Sequence, residues 1–283
     1  MSDALDTSAL LLPPGPVDLT AVETDAAPGF AGKKSDGEKA LVGLETELAD
    51  LQERLFAERS AGSERRILLV LQGMDTSGKG GTLRHTVGLV DPQGVRITSF
   101  KAPTDEEKKH DFLWRIRNAA PPPGTIGVFD RSHYEDVLIV KVHEWADADE
   151  IERRYDAINA FERELADGGT TIIKCMLHIG VEEQKARLQE RLDNPEKHWK
   201  YNPVDVDERA HWPAYQEAYE MALERTHTQV APWHVIPADK KWFRNLAIGH
   251  LLLQGLRRLD LQWPAADFDV EVEKKRLAES DTA

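Results

Sequence analysis

Arg66-Ile-Leu-Leu-Val-Leu-Gln-Gly73-Met-Asp75-Thr76-Ser77-Gly78-Lys79-Gly80-Gly81-Thr82 sets an apolar run directly against the pattern Gly-x-x-x-x-Gly-Lys. Such a run reads as a buried strand feeding a phosphate loop. Glycines at 73, 78, 80 and 81, with Thr76 and Ser77 between them, let successive amides turn inward around phosphate oxygens. The helix that follows offers its positive N-terminal end, and Lys79 can reach the group being transferred. A chance glycine turn is the competing reading, but Ile67–Leu71 supply the strand and Thr82–Val90 the helix that the mechanism needs.

One departure from the common loop is informative. A Ser or Thr usually follows the lysine to hold magnesium, whereas Gly80 and Gly81 follow Lys79 here. The metal must then find other ligands. Asp75 lies inside the loop, where a carboxylate repels phosphate unless a cation stands between them. It reads as a magnesium ligand or a group on the acceptor side of the transfer; the plainer alternative is a turn residue that caps the loop.

The chain has 283 residues, with 36 Lys+Arg against 50 Asp+Glu, a formal charge of −14 and a pI near 5.2. That length suits one large α/β domain with appendages, or at most two domains. The acidity excludes a general nucleic-acid or membrane-surface binder, so any polyanion must sit in a local basic groove. Cys175 is the only cysteine, which leaves no disulfide framework and no zinc cluster. With no long apolar span and no signal-peptide pattern at the start, a cytoplasmic protein is expected.

Residues 1–37, rich in Pro, Ala, Gly, Asp and Thr without lasting periodicity, are expected to form a flexible arm, lying on a neighbouring subunit if anywhere. Leu41, Leu44, Leu48, Leu51 and Leu55 then mark one face of a single helix over 38–60. Residues 94–100 read as a second strand, which puts Lys101 at a carboxyl end of the sheet, where ligands bind in open α/β folds. A third strand, 125–129, ends in Asp130-Arg131, with Glu135 close enough to face the same cleft. An acid at a strand tip is the second carboxylate that a phosphate-loop site needs, and the Arg131 fork matches phosphate oxygens. In the bland alternative the two merely pair with each other.

A long helix over about 147–166, a fourth strand over 171–178, a helix over 181–192, a helix over 211–227, a fifth strand over 233–236 and a last helix over 240–259 complete the pattern. Lys185, Arg187 and Arg191 read as sharing one helical face. The polar, aromatic, proline-broken segment through Lys200 reads as part of a lid over about 183–212. Strand–helix alternation predicts a three-layer α/β/α fold of the P-loop kinase kind, with a central parallel five-stranded sheet and a helical lid. The main domain is expected over 38–265 and a charged tail over 266–283.

Taken together, Gly73-Met-Asp75-Thr-Ser-Gly-Lys79-Gly-Gly81, Phe100-Lys101-Ala-Pro103, Val128-Phe-Asp130-Arg131-Ser-His-Tyr-Glu135, Asp193-Asn-Pro-Glu-Lys-His-Trp-Lys200 and Ala231-Pro-Trp233 resemble the polyphosphate kinase 2 family. The resemblance implies magnesium-dependent transfer of phosphate between inorganic polyphosphate and nucleotides, with manganese as a substitute metal, in a cytoplasmic homodimer or homotetramer. It implies a catalytic set of Asp75, Lys79, Asp130 and Arg131, metal on Asp75 and Asp130, and Arg131, Arg187 and Arg191 on phosphate. Ser-His-Tyr-Glu135 is similar to members that phosphorylate both AMP and ADP, whereas Asp130 is closer to those restricted to diphosphates. Two rivals share the loop. An ATP-dependent nucleoside monophosphate kinase of the thymidylate kinase type would ignore polyphosphate. A guanine-nucleotide switch would need an Asn-Lys-x-Asp motif and a hydroxyl after Lys79, and the chain has neither.

Overall fold

The computed structural model describes residues 5–280, and in it the run quoted above is the middle of a sheet. Strands β1 (Arg66–Gln72), β2 (Val95–Ser99), β3 (Ile126–Asp130), β4 (Thr170–His178) and β5 (Trp233–Pro237) lie in the order β2-β3-β1-β4-β5, every pair parallel. The expected five-stranded parallel sheet is therefore present. Residues 67–71 of β1 are fully buried, as a strand covered on both faces must be, which is why they read as unbroken hydrophobics.

Helices cover both faces. On one side lie α1 (Lys34–Gly43), α2 (Glu45–Glu58), α3 (Lys79–His85) and α10 (Lys241–Arg258); on the other, α4 (Trp114–Ala119), α5 (Ile139–Val142), α6 (Ala148–Asp167) and α9 (Trp212–Thr226). The remaining helices are α7 (Val181–Asp193), α8 (Val204–Arg209) and the exposed α11 (Val270–Glu279). Ile67 and Ile173 face α10, where Gly255 leaves room for them. Lys174, one residue on, faces α6 instead.

Two expectations are corrected here. The single helix over 38–60 is two helices with a joint at Leu44, whose amide bonds back to Leu41 O at 3.1 Å in a tightened turn after Gly43. Glycine weakens the helix at that point, while Leu44, Leu48 and Leu55 keep one buried stripe across the joint. The arm is packed rather than loose. Leu5, Leu10, Leu12 and Leu19 are buried, the Leu12 amide bonds Trp233 O at 3.0 Å, and Leu11 bridges His234 on the open edge of β5. A row of leucines read as too sparse to fold thus covers a sheet edge of its own chain; residues 1–4 and 281–283 lie outside the described residues.

Candidate active site

The site is built where β1 and β3, neighbours in the sheet, end side by side. After Gln72 the chain turns sharply at Gly73 and again at Gly78, both with positive φ, and α3 starts at Lys79. A Cβ on Gly73 would stand 2.7 Å from Leu177 O, so the turn admits no side chain. Among the described residues, the amides of Gly78, Lys79, Gly80 and Gly81 meet no protein acceptor, and the buried hydroxyls Thr76 Oγ1 and Ser77 Oγ meet no partner at all. This is a cradle of donors that wants an anion. Lys79 Nζ folds back on Gly73 O at 2.7 Å, a placement from which it can swing to a phosphate.

Asp75 and Arg131 meet across the loop, Arg131 Nη2 donating to Asp75 Oδ1 at 2.7 Å. Arg131 holds φ +62, a conformation non-glycine residues rarely adopt, and its amide is tied to Leu71 O at 3.1 Å. It pairs with Asp75 and not with its neighbour Asp130, whose carboxylate takes only a long hydrogen bond from Ser99 Oγ at 3.3 Å. Burial alone would raise the Asp75 carboxyl, but the Lys79 and Arg131 cations outweigh it and hold the group below the usual carboxylate range. Lys79 is pulled below the ordinary lysine value by burial and then by Arg131, although the charges of Asp75, Asp130 and Glu135 all bear on it in the opposite sense. Glu135 is raised, because burial outweighs the same two cations.

Asp75, Arg131 and Glu135 share a cavity of about 140 Å³ with Gly73, Met74, Tyr215, Tyr219 and the lid residues Asn202, Val204, Asp205 and Glu208. The lid is folded, as a 3-10 turn over Pro195–Lys200 followed by α8. Gln184 Nε2 reaches Asp75 O at 3.1 Å while its Oε1 accepts from Arg209 Nη1 of α8, which couples the lid to the loop. Gln72, with the amide orientation that satisfies both its atoms, donates to Glu135 Oε1 at 3.1 Å and accepts from Ser132 Oγ at 3.0 Å.

Of the cations expected on phosphate, Arg187, Lys200 and Lys101 do not line this cavity, whereas Arg191 stands at its lid side, where its charge bears on Asp75. Arg187 lies behind the loop, its guanidinium on the carbonyls of Thr76, Ser77, Ala238 and Asp239, so it holds backbone rather than ligand. Lys185, expected on the same face of α7 as Arg187, is exposed on another one, since two residues turn a helix by about 200°. Arg191 is in the lid, bonded to Lys200 O at 2.9 Å and to Asp205 Oδ2 at 3.2 Å. Lys200 itself is exposed over Trp199, and Lys101 lines a separate groove beside β2 with Arg96 and Arg115. Residues the sequence reading passed over are Gln72, Gln184, Asp205, Tyr215, Tyr219 and Arg244. A glutamine ending an apolar strand and an arginine four residues before Ile248 on an apolar helix face were the available signals for Gln72 and Arg244.

A parallel sheet, a glycine loop opening a helix, carboxylates at two adjacent strand tips and a lid define a P-loop phosphotransferase. The polyphosphate kinase 2 family model matches residues 31–263, and the chain belongs to that family. It is 46% identical over 252 residues to an AMP/ADP-polyphosphate phosphotransferase of Meiothermus ruber, covering 89% of this chain and 93% of that one. It is 36% identical over 260 residues to an ADP-polyphosphate phosphotransferase of Rhodopseudomonas palustris, 88% of each. The crystal structure of polyphosphate kinase 2 from Arthrobacter aurescens superposes with a TM-score of 0.95 at 54% identity, covering 98% of both chains.

Proposed function

We propose that the chain transfers phosphate reversibly between inorganic polyphosphate and nucleotides, converting ADP to ATP, GDP to GTP and AMP to ADP. The observation that carries this is the cavity in which the loop, the Asp75–Arg131 pair and the lid enclose Glu135. The polyphosphate phosphotransferase names of the relatives support the donor, and the Meiothermus ruber name supports AMP as well as ADP as acceptor. In the transfer, an acceptor phosphate oxygen forms a bond to a terminal polyphosphate phosphorus as the bridging oxygen leaves with the shortened chain. No base is needed, because the attacking oxygen is already ionised.

The amides of Gly78–Gly81 and the hydroxyls of Thr76 and Ser77 hold the phosphates in line, Lys79 follows the migrating group, and Arg131 meets its equatorial charge. The residues fit magnesium: no group of three His, Cys, Asp or Glu side chains forms a cage among the described residues, but Asp75 and Asp130 would hold the ion with two carboxylates, as suits a cation that keeps water and phosphate among its ligands. The ion would neutralise charge between donor and acceptor; manganese takes the same oxygen donors. A cytoplasmic homodimer or homotetramer is proposed with this reading.

The test is incubation with magnesium, long-chain polyphosphate and each of AMP, ADP, GMP and GDP, with products separated by charge. ATP from ADP and ADP from AMP are expected. Asp75→Asn and Asp130→Asn should each slow turnover by about 10²-fold or more, through lost stabilisation of the transferring group. Activity with ATP as the only accepted donor would favour a nucleoside monophosphate kinase and overturn the proposal.

A further inference from the structure

Two arginines lie under the phosphate loop, and their charges are poorly matched. Arg187 is 6% exposed and Arg244, from α10, is 2% exposed. Arg187 Nε has a carboxylate, Glu183 Oε1 at 2.7 Å. Arg244 has none within ion-pair distance among the described residues: its Nη1 donates to Ser77 O at 3.1 Å, and its Nε and Nη2 donate to Asn245 Oδ1 at 3.2 and 2.9 Å. A guanidinium taken out of water without a counter-charge is costly, and here a second one stands close by. Burial, then the charge of Arg187, pull Arg244 down to about 10.

The position of Arg244 is close against the loop. A Cβ on Gly78 would stand 1.7 Å from its Nη1 and a Cβ on Gly81 2.7 Å from its Nη2, so the guanidinium fills the space beside the loop where the free amides begin. Both arginines bind Ser77 O, and Arg187 also binds Thr76 O, with Thr76 held at φ +63, a rare conformation for a β-branched residue. With those carbonyls drawn down, the opposite edge of the loop presents its N–H groups. The loop is thus held in a strained shape by two buried cations, with the cradle of free amides directly above them.

We propose that Arg244 is a positioning residue for phosphate transfer: through the Ser77 carbonyl it fixes the loop with its amides outward, and phosphate bound in the cradle supplies a counter-charge that no described carboxylate gives it. The chain therefore gives up stability when empty and regains it with ligand. This rests on the reading of the loop as a polyphosphate and nucleotide site, and the test separates the two.

Thermal melting is followed with and without magnesium and inorganic tripolyphosphate for the wild type, Arg244→Met and Arg244→Lys, alongside kcat and KM for polyphosphate and ADP. Tripolyphosphate should raise the wild-type Tm. Arg244→Met should melt no lower than the empty wild type, lose the tripolyphosphate shift, and lose about 10²-fold in kcat/KM. Arg244→Lys, keeping charge without the fork, should recover part of the shift and part of the rate. If Arg244→Met melts well below the empty wild type while its folded fraction keeps wild-type kcat and KM, the residue is only structural and the proposal falls. An undiminished tripolyphosphate shift in Arg244→Met also overturns it. A wild type that tripolyphosphate does not stabilise overturns the reading of the site itself, and this inference with it.

Discussion

At the scale of single residues, the loop glycines are not equivalent, although in the sequence they form one motif. Gly78 has φ +109 and its flank is occupied by the Arg244 guanidinium, whereas Gly80 is exposed, has an ordinary φ and would meet nothing within 4 Å with a Cβ. Gly78→Ala must therefore either displace Arg244 or distort the turn, and should cost both stability and activity. Gly80→Ala should instead raise stability by about 0.5–1 kcal/mol, since glycine in the first turn of α3 carries only its entropic cost. Urea denaturation of the two variants checks this; a Gly80→Ala protein less stable than wild type would show that the loop backbone is not as described. Asp75, Lys79 and Arg131 were legible because their chemistry is local to a motif. Arg187 and Arg244 were not, because a helical arginine reads as a solvated charge until tertiary packing places it under a loop.

At the scale of elements, the turn that carries Arg131 and Glu135 is anchored by charges buried deep behind it. Lys174 of β4 is fully buried, donating to Glu162 Oε2 at 2.7 Å, Tyr134 OH at 2.8 Å and Thr226 O at 2.8 Å, and Tyr134 OH donates to Glu162 Oε1 at 2.7 Å. The network joins α6, β4 and the end of α9 to the segment following Asp130. Removing one partner strands the other, so Lys174→Met or Glu162→Leu alone should cost about 3–5 kcal/mol, and the double variant much less than the sum. Chemical denaturation of the three variants measures the coupling; additive losses would mean that the groups act separately. The helices and strands that support this network were visible as periodicity, and α6 begins one residue after its Asp147 cap. The lysine was hidden inside the apolar run of β4, where alternation cannot say which side chain meets a buried acid. The basic track expected from Lys101, Arg131, Arg187, Arg191 and Lys200 is likewise not a property of any one element. Arg131 and Arg191 both bear on Asp75, but Lys101, Arg187 and Lys200 have other neighbours.

At the scale of the whole molecule, composition foretold an acidic α/β domain with a real core, and strand–helix alternation foretold a parallel five-stranded sheet but not its order β2-β3-β1-β4-β5. What composition hid was the part played by the N-terminal segment. Proline and small polar residues dominate residues 1–37, and that average conceals four leucines spaced to fit a surface already made by β4, β5, α9 and α10. Leu19 is the tightest of these contacts: it is 1% exposed, its amide donates to Glu220 Oε1 at 2.8 Å, and its carbonyl accepts from His178 Nε2 at 3.0 Å. His178 ends β4, and the strand's exit leads directly to α7 and the lid, so the segment braces the same end of the sheet as the site. A loosely attached arm would tolerate truncation of Leu19; a docked one would not. Leu19→Ala should therefore destabilise the chain by about 2–5 kcal/mol, the cost of emptying a packed leucine site. Urea denaturation gives the number, and a loss below about 0.5 kcal/mol, the range of ordinary surface substitutions, would return the segment to a free arm.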